Sequence, residues 1–127
     1  MSVFRDISIR FKGVDHTVTP SNRLLRMIEG RARVDDPSFN LARVFYEIQV
    51  GPVSIPSLAY LGAEFLKASG AQITDDDVLG ELGAMTQKDL IAFKDAVASC
   101  VMPEVKGKKP DAPAKPAQPR AKKKSQR

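Results

Sequence analysis

The chain has 127 residues, 43% of them hydrophobic, with a single cysteine and a net charge of +5. That length fits one domain with an appendage, and one cysteine excludes an internal disulfide framework. No apolar run approaches the roughly 20 residues a membrane-spanning helix needs, and the start, MSVFRDISIR, carries Arg5, Asp6 and Arg10, which predicts no signal peptide.

The positive charge is unevenly placed. Residues 103–127 hold nine Lys/Arg against two acidic residues, net +7, whereas residues 1–102 hold eleven against thirteen, net −2. A protein built to grip a duplex carries a basic face on its folded part as well, so the distribution argues against nucleic acid as the main partner. Five of the nine prolines also fall in 103–127. Such a composition cannot bury enough surface to offset its ordering entropy, which predicts a folded domain over 1–102 and a disordered basic tail over 103–127.

In chain order, ISIRF alternates with Ile7, Ile9 and Phe11 on one side and Ser8 and Arg10 on the other, the period of a half-buried strand. Lys12-Gly13 offers a tight turn, after which Val14, His16 and Val18 would join the same apolar face. SNRLLRMIEG reads as a short helix, capped by Ser21 or Asn22 and stopped by Gly30, with Leu24, Leu25 and Ile28 facing inward. GRARVDD reads as a polar connector. Asp36 then offers an N-cap and Pro37 a first helical position, with Leu41, Val44, Phe45 and Ile48 at helical spacing and Gly51-Pro52 as the stop.

SIPSLAYLGAEFLKASG reads as a third helix with Leu58, Leu61, Phe65 and Leu66 in one stripe, Tyr60 at its border and Gly70 at its end. Thr74 with Asp77, and Thr86 with Asp89, have capping-box spacing at the starts of two further helices. The last buries Leu90, Phe93, Ala96, Val97 and Val101, and Pro103 closes it. The fold class is therefore α+β, mostly α: an N-terminal β-hairpin, about five short helices, then a disordered basic tail.

Chemistry-bearing constellations are scarce. Asp75, Asp76 and Asp77 lack the alternating oxygen ligands, central glycine and distal Glu of a calcium loop, and a helix start accounts for them. His16 is the only histidine, so Cys100 can have at most one imidazole partner; on its helix it reads as a small apolar residue. Gly62 and Gly80 lie inside helical patterns and read as packing positions or weak turns. The sequence predicts no enzyme, no metal and no cofactor. The large side chains on the second and third helices either all pack in one core or partly form a patch for an apolar helix of another protein.

FKGVDHTVTP, RLLRMIEG and SIPSLAYLGAEFLKASGAQITDDDVLGEL, in that order, resemble the tail assembly chaperones of long-tailed phages and related gene transfer agents. The resemblance covers residues 4 to about 100; the middle segment RARVDDPSFNLARVFYEIQVGPV is longer than is usual there. It implies a protein that does no catalysis, binds the tape measure protein and assists assembly of the tail tube in the host cytoplasm, and is absent from the finished virion. It implies the tape measure protein as partner, the tail tube protein as a second one, and no small-molecule substrate or membrane. The expected contact residues are Phe45, Tyr46, Leu58, Tyr60, Leu61 and Phe65. It also implies a longer product made by a −1 ribosomal frameshift, with Lys122, Lys123 and Lys124 marking the slippery codons; the plainer reading is a solvated charge run. Two other functions fit the sequence: a small tail or head–tail joining subunit of the virion, and a nucleic-acid-binding protein acting through its basic tail.

Overall fold

The computed structural model describes residues 3–105. Its elements are β1 (Ile7–Phe11), β2 (Val14–Val18), α1 (Asn22–Asp35), α2 (Leu41–Val50), α3 (Ile55–Ala68), α4 (Asp75–Ala84) and α5 (Gln87–Val101). The expected hairpin and five helices are all present.

The strands pair antiparallel with Ile7 opposite Val18, Ile9 opposite His16 and Phe11 opposite Val14. Lys12 and Gly13 both have positive φ, 52° and 77°, as a two-residue turn matched to strand twist requires. Ile9, Phe11 and Val18 are buried, but Val14 is 55% exposed. Opposite Phe11, it does lie on the expected face, but at the turn end, where it borders an open hollow instead of the core. Phe11 meets Phe93 of α5 with ring centroids 6.2 Å apart, which seats the hairpin on the last helix.

The first helix is longer than its sequence suggests. Ser21 caps it, its hydroxyl accepting from the Leu24 amide at 3.1 Å, but α1 runs through Gly30 and the segment expected to be a connector. Contacts on both sides of Gly30 outweigh its weak propensity, about 1 kcal/mol against Ala: the Tyr60 hydroxyl donates to the Ile28 carbonyl at 2.9 Å, and Arg31 pairs with Glu64 at 2.9 Å. Asp36 consequently follows α1 rather than starting α2, and its carboxylate accepts from the Ser38 amide and hydroxyl. Those bonds hold it below the usual carboxylate range. The N-cap of α2 is Asn40, whose side chain accepts from Arg43 N at 3.2 Å. Two α1 side chains secure the connection: Glu29 accepts from Leu41 N, and Arg33 donates to the Phe39 carbonyl.

The end of α3 is a Schellman turn. Ala71 N donates to Leu66 O and Gly70 N to Lys67 O, with Gly70 at φ 106°. Thr74 and Asp77 form the full reciprocal capping box of α4. The same bonds hold Asp77 low in pKa. Thr86 caps α5 by accepting from Asp89 N at 3.1 Å.

Helix α3 occupies the centre, packed on α4 and α5 and touching β2. At its middle, a Cβ built on Gly62 would lie 2.5 Å from Phe93 Cζ, so the two helices approach as closely as a missing side chain allows. Gly80 has nothing within 4 Å of the same construction, so packing inside the domain explains Gly62 and not Gly80. The chain stays in contact beyond the expected boundary at 102: Phe4 bridges Val105, Arg5 N donates to Glu104 O at 2.9 Å, and Arg5 pairs with Glu104 at 3.3 Å.

Candidate interaction surface

The six expected contact residues divide into two groups. Leu58, Leu61 and Phe65 have no exposed area and belong to the central cluster, with Ile28, Leu66, Val78, Phe93 and Val97. They are core residues. Helical spacing put them on one stripe with a bordering tyrosine, but that stripe meets α4 and α5 instead of solvent. On α2, Phe45 is half-buried against the core, while Tyr46 is 64% exposed and Val50, one turn on, 60% exposed. Arg43 and Glu47, at 3.8 Å, flank Tyr46 along the helix. An exposed pair in water contributes little stability. What this face offers is an aromatic ring, an aliphatic side chain and both signs of charge within about two turns.

Tyr60 has a different task. Its ring stands edge-on to Phe39, centroids 5.9 Å apart at 81°, and its hydroxyl holds α1 through Ile28 O. One turn further along α3, Glu64 is the one buried charged side chain among the described residues. Arg31 at 2.9 Å and Lys67 at 3.4 Å neutralise it from the solvent side. Its apolar neighbours in LGAEFL are the one local signal of this, since a carboxylate buried in such a run demands a cation.

These environments set a pH response. Burial, then the Glu64 charge, pushes the Tyr60 phenol up to about 12, Arg31 opposing, and burial pushes the Cys100 thiol up to about 12. Both groups are neutral when protonated, so the fold disfavours losing the proton. Their contribution is complete below the ordinary values, 9.0 for Cys100 and 10.0 for Tyr60, and is lost as pH rises toward 12. Urea midpoints should therefore fall as pH rises from 9 towards 12, and Cys100→Ala should flatten the early part of that fall. A midpoint independent of pH across that window would contradict the burial of both groups.

A hollow of about 400 Å³ lies between the hairpin and α4–α5, where Arg10 and Lys12 face Glu81 and Asp89 above Met85 and Phe93. Arg10 is paired with Asp15 at 3.1 Å. His16 lines a second hollow of about 350 Å³ with Lys12, Asp77, Leu66 and Ile73. Cys100 is fully buried and lines neither. No group of three or more His, Cys, Asp or Glu among the described residues could hold a metal, and no described helix is long and apolar enough to cross a membrane. Lys122, Lys123 and Lys124, and the expected tail from residue 106 on, lie outside the described residues.

Comparison with family models, characterised proteins and solved structures finds no match to this chain.

Proposed function

We propose that this protein is a tail assembly chaperone: it binds the apolar helical faces of a tape measure protein in the host cytoplasm, keeps that protein soluble, and assists the tail tube protein in assembling around it. The observation that carries the reading is the outer face of α2, where Tyr46 and Val50 are exposed one turn apart beside Arg43 and Glu47. The element order on which the family resemblance was drawn, hairpin then five helices, supports it.

The physical task suits a small rigid body. A long amphipathic helix free in water exposes a continuous apolar stripe, and such stripes self-associate. A partner with one exposed aromatic on a helix face covers a short length of it by helix-to-helix packing. Each contact is weak, but many copies along one chain act at high effective concentration and still release stepwise as tube subunits replace them. The residues that bear the contact are Tyr46 and Val50, with Phe45 supporting them from the core side.

The test is to co-express the chain with any long helical protein whose gene adjoins its own. The wild type should hold it in the soluble fraction and co-purify with it. Tyr46→Asp with Val50→Asp should abolish the complex while leaving thermal unfolding within about 0.5 kcal/mol of wild type, since both side chains are solvent-facing. Failure of the wild type to bind such a protein, or recovery of this chain as a stoichiometric part of purified particles, would overturn the proposal; the latter would make it a structural subunit.

A further inference from the structure

The outer edge of β1 carries backbone groups that the hairpin leaves unused. A two-residue turn makes Phe11 and Val14 a hydrogen-bonded pair, and alternation then bonds Ile9 to His16 and Ile7 to Val18. The N–H and C=O groups of Ser8 and Arg10 therefore point away from β2, and neither residue bonds backbone outside the hairpin among the described residues. Just before β1 the situation differs, since Phe4 and Arg5 have Val105 and Glu104 as backbone partners.

The hollow of about 400 Å³ runs along this open edge, with Ser8, Arg10 and Lys12 on its strand side. Ala92 and Ala96 of α5 line it too, and their small side chains leave room for another length of backbone. Its charges are not balanced. Arg10 is paired with Asp15 at 3.1 Å, and Lys12 Nζ stands 5.8 Å from the centre of the Phe11 ring. Glu81 and Asp89 on the far side have no ion partner among the described residues. They belong to helices that together carry six acidic residues against Lys88 and Lys94. A segment that fits here is extended, basic, free to donate backbone amides and poor in bulky apolar side chains.

We infer that residues 120–127 of the same chain, RAKKKSQR, add to the β1 edge as a third strand. This stretch has five basic residues, no acidic one and no proline, so every amide can donate. Side chains alternate along a strand, which puts Lys122 and Lys124 on one side, where they can meet both Glu81 and Asp89. Reach is ample. The 14 residues 106–119 span up to about 45 Å, whereas the eight steps from Phe4, beside Val105, to Lys12 cover less than about 30 Å. Attachment through such a linker makes the encounter intramolecular, so a weak contact suffices. The third strand supports a hairpin of only two and closes an edge that would otherwise be a template for pairing with other chains. The inference rests on this edge and its hollow, and stands apart from the chaperone reading.

Amide hydrogen exchange of the full-length protein, followed by NMR, tests it. The Ser8 and Arg10 amides should exchange at least about tenfold more slowly in wild type than in Lys122→Glu with Lys123→Glu and Lys124→Glu. High salt should speed them in wild type. The Ile9 amide, bonded within the hairpin, should stay protected in both, which shows that the variant keeps the fold. Glu81→Lys with Asp89→Lys should free the same two amides, and combining it with the three lysine reversals should protect them again. Wild-type Ser8 and Arg10 amides that exchange as fast as in the triple variant would overturn the inference. So would a combined variant that fails to recover, or protection that fades on dilution, which would mean that the strand comes from another molecule.

Discussion

Phe65→Ala should lower the unfolding free energy by about 3–5 kcal/mol, the usual loss for a fully buried phenylalanine cut to the β-carbon. Phe65 has no exposed area and sits in the cluster that joins α3 to the rest of the core. A domain of this size has about 5–15 kcal/mol in total, so this one change removes a large part of it, and the melting temperature should drop by more than about 12 °C. Tyr46→Ala, on the neighbouring helix and equally aromatic, should move stability by less than about 0.5 kcal/mol. The pair separates two roles that look alike in the sequence. Chemical denaturation of both variants measures it, and similar losses for the two would mean that α3 does not bury the stripe described here.

Gly62→Ala has two opposed effects, and the packing one should win. Replacing glycine inside a helix favours the helix by about 1 kcal/mol. Against that, the new methyl would lie 2.5 Å from Phe93 Cζ, 3.0 Å from Phe93 Cε2 and 3.3 Å from Val78 Cγ1. The Phe93 ring is almost fully buried and abuts Phe11, so it can yield only on the side that borders the hollow between the hairpin and α4–α5. Overpacking of a core costs about 1–3 kcal/mol, and once the helix gain is subtracted the net loss should be up to about 2 kcal/mol. Gly80→Ala is the control: the same substitution in open space should gain about 0.5–1 kcal/mol. Phe93→Leu should recover part of the Gly62→Ala loss, a coupling readable in a double-mutant cycle. If Gly62→Ala and Gly80→Ala stabilise alike, α3 and α5 are further apart than described.

How much of this was legible in the chain depends on the kind of signal. Caps made of local bonds were read well. Ser21, Thr74 and Thr86 each hold the amide three residues on, an interaction contained in four consecutive residues. Signals that tertiary contacts can outweigh were read less well. Gly30 reads as a stop because glycine disfavours helix, but Tyr60 and Glu64, thirty or more residues away, hold the helix on both sides of it. Asp36-Pro37 looked like a start, yet the Asp36 carboxylate folds back on Ser38, and the next helix waits for Asn40.

The candidate surface was the least legible part. Leu58, Leu61 and Phe65 share helical spacing and size with Phe45 and Tyr46, and spacing reports only that a stripe exists. Which neighbour covers it depends on the small residue at 62, whose importance shows only when Phe93 is placed against it. Burial of Glu64 had no local signature beyond its apolar neighbours, and its cation Arg31 comes from another helix.

The bridge between Phe4 and Val105 has a practical consequence for engineering the molecule. Facing residues of an antiparallel pair lie about 5 Å apart, so a peptide of a few residues can join these two positions into a closed loop of chain. New ends could then be opened between Gly70 and Thr74, a stretch outside regular structure that connects two capped helices. A reporter placed at the new opening would sit far along the sequence from β1 while the pairing of β1 with β2 is kept.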